Sequence, residues 1–312
     1  ELARMDIVII AVFPGQGSQT PGFLTPWLET EGTRALLEQY SAYADVDLVA
    51  AGTEWDADRI RDTKVAQPLI VAASLLSWRA LVDAGLRPDG VAGHSVGEIA
   101  ALVAAGVLTE EDGMRLVGIR GRAMAEAAAL EETGMSAVVG GDEATVLARL
   151  EELDLTPANY NGGGQIVAAG ALPALTALGA EAPRGSRVIP LQVAGAFHTR
   201  YMAPAVDTLR TAAAEVAASD PSLTLWSNRD GGTVADGRAA LDLLVAQVAN
   251  PVRWDLCMAS FAENDVAGII ELAPAGTLVG LAKRGLRGVP SVAVKTPEDL
   301  AAANALLTGE NA

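Results

Sequence analysis

The chain has 312 residues, of which 50% are hydrophobic and 20% charged, and its formal net charge at pH 7 is −17. This composition is typical of a folded protein with room for one sizeable domain and a smaller companion, and it excludes a disordered chain. The negative charge argues against nucleic acid and an anionic membrane as partners, because both would be repelled at long range.

The first predicted element is a strand at residues 6–13, a continuous β-branched run that ends in a glycine-rich turn. An amphipathic, alanine-rich helix is predicted at 67–84. A short strand at 91–95 precedes a segment rich in helix formers at 98–105. Strands separated by long helices favour parallel pairing, so we expect an α/β architecture.

The middle of the chain has a different pattern. Strands are predicted at 135–141, 156–160, 165–169 and 186–193, and helices at 143–153 and 172–180. The order βαββαβ is that of a ferredoxin-like unit. Because a helical stretch precedes this unit and more α/β pattern follows it, we expect an insertion in a larger domain, with a ligand site in the cleft between the two.

Cys257 is the only cysteine, which excludes an internal disulfide, disfavours a Cys-based metal site and fits a reducing compartment. We interpret it as core filler. The apolar runs at 7–13 and 99–108 are too short to cross a bilayer, and Arg4 and Asp6 do not make a secretory amino terminus. We therefore expect a soluble cytoplasmic protein. Residues 1–4, ahead of Met5, are expected to lie outside the fold, which begins at Met5.

The stretch Gly93-His94-Ser95-Val96-Gly97 has the Gly-x-Ser-x-Gly pattern. Between a strand and a helix, this pattern makes a tight turn that lifts the serine oxygen clear of the sheet edge. Both contexts are predicted here, so Ser95 is a candidate nucleophile. The alternative is a serine in an ordinary strand-to-helix turn.

A serine nucleophile needs a base, and histidine is the usual one. His94 adjoins Ser95, and adjacent side chains diverge in a sharp turn, so His94 is poorly placed. His198 follows the predicted insertion and would lie at the cleft, which makes it the candidate base; the alternative is a structural histidine. No single Asp or Glu stands out to orient the imidazole, as an esterase requires, so a backbone carbonyl could orient it instead.

The turn Gly15-Gln16-Gly17 has neither the ending of a P-loop nor the glycine spacing of dinucleotide folds. It is better suited to bring a backbone N–H close to a developing oxyanion. Val96, which follows the candidate nucleophile, would supply the second donor.

Four ordered motifs together resemble malonyl-CoA:acyl carrier protein transacylase, the acyltransferase of bacterial type II fatty acid synthesis. They are FPGQGSQ (13–19), GHSVGE (93–98), RGRAM (120–124) and GAFH (195–198). The similarity runs through essentially the whole chain from Met5 and includes ANYN (158–161) and QVANPV (247–252). It implies an α/β hydrolase-like catalytic domain of residues 5–130 and 196–312, with a ferredoxin-like subdomain at 131–195.

The resemblance also implies roles for individual residues. Ser95 attacks the malonyl thioester and His198 takes its proton, while a main-chain carbonyl at Gln247 orients His198. The backbone N–H groups of Gln16 and Val96 form the oxyanion hole. No metal or redox cofactor is implied.

Two further residues would bind the substrate. The resemblance implies that Arg120 pairs with the malonyl carboxylate, and a guanidinium suits this because it can donate two parallel hydrogen bonds. Without the resemblance, Arg120 would be taken for an arginine on an exposed helix face. In related acyltransferase domains of modular synthases, Phe at the position of Phe197 goes with malonyl selection and Ser with methylmalonyl selection, which implies malonyl here.

The implied partners are malonyl-CoA and phosphopantetheinylated acyl carrier protein, and a monomer is expected. Carrier proteins of this family are acidic as a rule, so a local basic patch must outweigh the charge of −17. The stretch Lys283-Arg284-Gly285-Leu286-Arg287 is one candidate, and Arg184 with Arg187 is another. For each, the alternative is a solvated face.

Three other functions stay open. A stand-alone acyltransferase that serves a polyketide synthase would share every motif. A serine esterase or thioesterase would hydrolyse malonyl-CoA without a thiol acceptor. A non-catalytic scaffold would bind acyl-CoA or carrier protein without becoming acylated.

Overall fold

Two five-stranded sheets organise the residues that the computed structural model describes, which are 7–309. Residues 1–4 and Asp6, for which the sequence made predictions, lie outside the described residues. The strands are β1 (Val8–Phe13), β2 (Gly90–Gly93), β3 (Thr133–Gly140), β4 (Thr156–Gly162), β5 (Gln165–Ala171), β6 (Ser186–Pro190), β7 (Thr224–Leu225), β8 (Val252–Arg253), β9 (Val266–Glu271) and β10 (Ser291–Ala293).

The α-helices are α1 (Thr33–Ala44), α2 (Leu48–Thr53), α3 (Ala57–Arg61), α4 (Thr63–Asp83), α5 (Gly97–Ala104), α6 (Glu110–Ala128), α7 (Glu143–Glu152), α8 (Leu172–Ala180), α9 (Ala203–Ala214), α10 (Gly237–Gln247), α11 (Trp254–Glu263), α12 (Thr277–Gly285) and α13 (Leu300–Thr308). Short 3₁₀ helices lie at Thr25–Glu29, Arg200–Met202 and Pro297–Asp299.

The larger sheet has the strand order β10-β9-β1-β2-β7, and every pairing in it is parallel. Strand β1 lies at its centre and is buried from Ile9 to Phe13. A β-branched run suits this position because a central parallel strand is covered on both faces. The predicted parallel α/β architecture is confirmed.

The smaller sheet has the order β6-β3-β5-β4-β8. Its first four strands and the helices α7 and α8 follow one another as βαββαβ, which confirms the ferredoxin-like pattern. The fifth strand, β8, was not predicted; it comes from the later part of the chain and pairs parallel with β4. Residues beyond 196 thus contribute to the smaller sheet, and the division at 131–195 stays a prediction.

Helix α4 is long and apolar enough to cross a membrane by length and composition alone. However, 78% of its apolar window is buried inside the protein, where it packs against α5 and α6. Its hydropathy is therefore that of a core helix. Cys257 is also fully buried, in a cluster with Trp226 and Trp254, which confirms its prediction as core filler.

Candidate active site

The turn that carries Ser95 joins β2 to α5, as the sequence predicted. Ser95 has a φ of 54°, the left-handed backbone of a sharp elbow. Gly97 is required there, because a side chain would collide with the carbonyl of Phe13. Asn228, which is distant along the chain, stabilises the turn with two hydrogen bonds. Its Oδ1 accepts from Ser95 N at 2.9 Å, and its Nδ2 donates to Gly93 O at 2.7 Å.

The side chains of Ser95 and His198 are within hydrogen-bond distance: Ser95 Oγ lies 2.7 Å from His198 Nε2. The other ring nitrogen, Nδ1, lies 2.7 Å from the main-chain oxygen of Gln247. A carbonyl oxygen only accepts, so Nδ1 carries the proton and Nε2 is the acceptor for the Ser95 hydroxyl. The geometry is that of a serine with its general base, oriented by a backbone carbonyl.

Burial, reinforced by the nearby Arg120 cation, lowers the pKa of His198 to about 3. The ring is therefore neutral at pH 7 and can accept a proton. No carboxylate contacts His198 among the described residues, so only hydrogen bonds to the backbone of Gln247 and Asn250 oppose this shift, in place of the acid of a Ser-His-Asp triad.

His94 is directed away from the Ser95 hydroxyl. Its Nε2 lies 2.8 Å from Asn161 Oδ1, and its ring packs edge-on against Trp254. This agrees with the expectation that His94 is poorly placed to act as the base.

The two residues predicted to supply the oxyanion-hole donors lie near Ser95. Gln16 lines the same cleft as Ser95, and Val96 is the N-cap residue of α5. Within residues 7–309, neither backbone N–H donates to another main-chain oxygen. Both donors are therefore available to a ligand oxygen.

Arg120 is 1% exposed, so it does not lie on an exposed helix face. Its Nη1 donates to Gln67 Oε1 at 2.7 Å and its Nη2 to Gln247 Oε1 at 2.8 Å, whereas its Nε has no partner within the described residues. Burial lowers the pKa of Arg120 to about 10, and the carboxylate of Glu98 opposes the shift. The guanidinium stays charged at pH 7 although both of its partners are neutral amides.

The side chain of Gln247 connects these groups, which the sequence did not predict. Its Nε2 donates to Ser95 O at 3.0 Å and lies 2.5 Å from Glu98 Oε2 and 3.2 Å from Asn228 Oδ1. The main-chain role predicted for Gln247 stays a prediction, and the side chain adds buried contacts with Ser95, Glu98 and Arg120.

Glu98 is a second residue that sequence reasoning missed. It is 7% exposed, and its Oε1 accepts from Asn228 N at 2.6 Å. Burial raises its pKa to about 7, while these hydrogen bonds and the Arg120 cation oppose the rise. Its position could have indicated a buried polar role, since Glu98 is the one charged residue in the otherwise apolar helix α5. Nothing comparable in the sequence marks Asn228 or Gln67.

The cleft at Ser95 has a volume of about 290 Å³. Its wall includes Phe197, which is 6% exposed, together with Asn159, Asn161 and the α12 residue Leu281. A larger cavity, about 460 Å³, borders Gln247 but contains neither Ser95 nor His198. The smaller cleft is the candidate active site because the reactive pair lies in it.

Comparisons with known proteins show the family of the chain. The family model described as "Acyl transferase domain" matches residues 10–302. A curated protein of Mycobacterium tuberculosis, "Malonyl CoA-acyl carrier protein transacylase", is 55% identical over 297 residues, covering 94% of this chain and 98% of its own. The crystal structure of MCAT from Mycobacterium tuberculosis superposes with a TM-score of 0.91 at 55% identity, over 94% of this chain and 98% of that one.

A second similar structure holds a malonyl-transacylase in complex with its type II polyketide synthase acyl-carrier protein. Its TM-score is 0.90 at 30% identity, over 97% of this chain and 99% of that one. The match of the family model and the identity over nearly the full length place this chain in the acyl transferase family, among the malonyl CoA-acyl carrier protein transacylases.

Proposed function

We propose that this protein transfers the malonyl group from malonyl-CoA to the phosphopantetheine thiol of acyl carrier protein, through a malonyl ester on Ser95. The transfer supplies extender units for fatty acid synthesis. The observation that carries the proposal is the buried Arg120 guanidinium, which has amide oxygens and no carboxylate as partners within the described residues. A buried cation of this kind suits an acyl group that ends in a carboxylate. The relatives named above are transacylases for the same group.

In the first half-reaction, Ser95 Oγ attacks the thioester carbonyl and its proton passes to His198 Nε2. The carbon–sulfur bond then breaks, and His198 returns the proton to the leaving CoA sulfur. Gln247 O keeps the ring in the required tautomer through its 2.7 Å contact with Nδ1. The N–H groups of Gln16 and Val96 stabilise the negative oxygen that develops on the carbonyl.

The second half-reaction reverses these steps with a different thiol. His198 Nε2 takes the proton of the phosphopantetheine thiol, and the sulfur attacks the ester carbonyl. The bond to Ser95 Oγ breaks, and Oγ recovers its proton from His198. Neither half-reaction calls for a metal or redox cofactor. Cytoplasmic location and a monomeric state stay predictions from the sequence.

The carrier protein needs a basic docking surface on this acidic protein. Helix α12 offers one, because Leu278 and Leu281 line the cleft while Lys283 and Arg284 lie in its last turn. Neither basic side chain forms an ion pair within residues 7–309. We propose that an acidic carrier protein docks against this end of α12, where its thiol would reach the cleft.

A second function is supply of malonyl groups to a polyketide synthase. The similarity to a transacylase bound to a polyketide carrier protein favours it. The chemistry at Ser95 is the same for fatty acid synthesis and for polyketide synthesis, so the two functions differ only in the carrier protein that accepts the malonyl group. Rates of malonyl transfer to a fatty acid carrier and a polyketide carrier, measured side by side, decide between the two.

Intact-mass spectrometry after brief mixing with malonyl-CoA tests the main proposal. We expect a malonyl adduct on the wild-type chain, discharged by phosphopantetheinylated carrier protein, and none on Ser95→Ala. Absence of an adduct on a folded wild-type chain favours a non-catalytic scaffold. Rapid loss of the adduct to water without a thiol acceptor favours an esterase or thioesterase.

A further inference from the structure

The orientation of one buried amide decides what Arg120 can bind. Gln247 presents its Oε1 to Arg120 Nη2 at 2.8 Å, and its Nε2 faces the opposite direction. An amide can rotate by half a turn, which exchanges the oxygen and the nitrogen at little steric cost. In the rotated state, the NH₂ group of Gln247 would face the Nη2 donor of Arg120, and the guanidinium would lose its hydrogen bond to Gln247.

Three acceptors surround Gln247 Nε2 and oppose that rotation. They are Ser95 O at 3.0 Å, Asn228 Oδ1 at 3.2 Å and Glu98 Oε2 at 2.5 Å. Glu98 is the nearest of them and the only one that can carry a charge. While Glu98 is ionised, a rotated amide would place its oxygen against a buried carboxylate oxygen, which is strongly unfavourable in a low-dielectric interior.

Glu98 is itself held in place, so it can impose this orientation. Its other oxygen accepts from the backbone N–H of Asn228 at 2.6 Å, and the side chain is 7% exposed. Among the described residues, Glu98 forms no hydrogen bond with Ser95 Oγ or with the His198 ring.

We propose that Glu98 is a positioning residue for carboxylate specificity: it fixes the Gln247 amide so that its oxygen, and not its NH₂ group, faces Arg120. Arg120 uses one N–H of Nη1 for Gln67 and one N–H of Nη2 for Gln247. The Nε–H and the second N–H of Nη1 and of Nη2 then remain for a carboxylate ligand. This inference rests on the proposed function, in which that ligand is the malonyl group.

Calorimetric titration of the Ser95→Ala variant, which cannot be acylated, tests the inference with malonyl-CoA and acetyl-CoA as ligands. Adding Glu98→Gln removes the charge at nearly constant size and keeps one oxygen for Asn228 N. We expect malonyl-CoA to bind about tenfold to a hundredfold more weakly, the range for a lost hydrogen bond to a charged group. Acetyl-CoA, which has no terminal carboxylate, should bind as before. Glu126→Gln, the same change at an exposed position of α6, is the matched control and should leave both affinities unchanged.

Equal weakening of both ligands, or no change in either, overturns the inference. If Ser95→Ala alone binds malonyl-CoA no more tightly than acetyl-CoA, the proposed function fails first and the inference with it. Circular dichroism and thermal unfolding establish that each variant is folded. Should Glu98→Gln fail this check, Glu98→Asp withdraws the carboxylate from Gln247 by one methylene, and the same malonyl-specific loss is expected.

Discussion

Arg120 and Gln247 are joined by a buried 2.8 Å hydrogen bond from Nη2 to Oε1, and the main-chain oxygen of the same Gln247 accepts from His198 Nδ1 at 2.7 Å. One residue therefore contacts the candidate general base with its backbone and the candidate carboxylate-binding group with its side chain. Because both contacts belong to one residue at the end of α10, a shift of that helix end would disturb both functions together.

Gln247→Ala tests the side chain alone. A role of the main-chain oxygen alone predicts a mild effect, whereas the side-chain contacts predict a marked one, because Arg120, Ser95 O and Glu98 each lose a buried partner. We expect kcat/KM for malonyl-CoA to fall by about tenfold to a few hundredfold, the effect of one or two hydrogen bonds to charged groups. Steady-state kinetics with malonyl-CoA measure this, and activity close to wild type would restore the main-chain-only interpretation.

His198→Ala removes the base without removing much core volume. We expect the acylation rate to fall by orders of magnitude, about 10²–10⁴-fold for a lost general base, with the fold intact. Stopped-flow release of CoA measures the rate. In wild type, the acid limb of the kcat/KM profile that is due to His198 should lie well below pH 6.5, because burial and Arg120 lower the His198 pKa to about 3. Glu98, with its pKa raised to about 7, also titrates in the site, so the profile is measured on Glu98→Gln as well. A limb near pH 6.5 in both proteins would contradict this assignment.

The same pKa shift predicts how stability depends on pH. The unfolded chain protonates His198 below its ordinary pKa of 6.5, but the native ring stays neutral down to about 3. The unfolded state therefore binds more protons in this window, and the free energy of unfolding falls as pH falls from 6.5 towards 3. We expect the slope in His198→Ala to be shallower by about 1.4 kcal/mol per pH unit. Urea unfolding at pH 6.0 and 5.0 measures the difference, and equal slopes would exclude the predicted shift.

Arg120→Ala should strongly weaken the use of malonyl-CoA and raise the relative use of acetyl-CoA. Each charge-assisted hydrogen bond lost to the malonyl carboxylate is worth about 1.5–3 kcal/mol. Arg120→Lys keeps the charge but cannot reach Gln67 and Gln247 together while presenting two parallel donors, so we expect it to recover only part of the preference. Competition between the two thioesters measures the ratio; if that ratio is the same in all three proteins, Arg120 is not in the binding site.

Phe197→Ser should narrow the preference for malonyl-CoA over methylmalonyl-CoA, because the ring lines the cleft and limits space for a methyl branch. One methyl group in an apolar pocket is worth about 1–3 kcal/mol, so the preference should change by about ten- to two-hundredfold at most. Phe197 is also buried in the main hydrophobic cluster, and a lower melting temperature is expected. The ratio of kcat/KM values must therefore be compared on folded protein, and a constant ratio would leave Phe197 with a packing role only.

Some features of the site could be predicted because they depend on neighbours in the chain. The elbow needs a strand, two glycines and a helix within about a dozen residues, and all of them are visible in the pattern around Ser95. The βαββαβ order could be predicted for the same reason, since each element has its own periodicity. The roles of Arg120, Gln247 and Phe197 came only from the family resemblance.

The sequence by itself thus determined the parallel α/β class, the βαββαβ order of the inserted unit, the elbow at Ser95 and the preference for His198 over His94 as candidate base. Only the tertiary structure decided that β8 completes the smaller sheet and that Glu98, Asn228 and the Gln247 side chain form one network with Arg120. The physical reason is distance along the chain: Gln247 contacts Glu98 from 149 residues away and Arg120 from 127 residues away. A local pattern does not encode such contacts, because packing of the helices brings these polar groups together and burial then requires that they be hydrogen-bonded to one another.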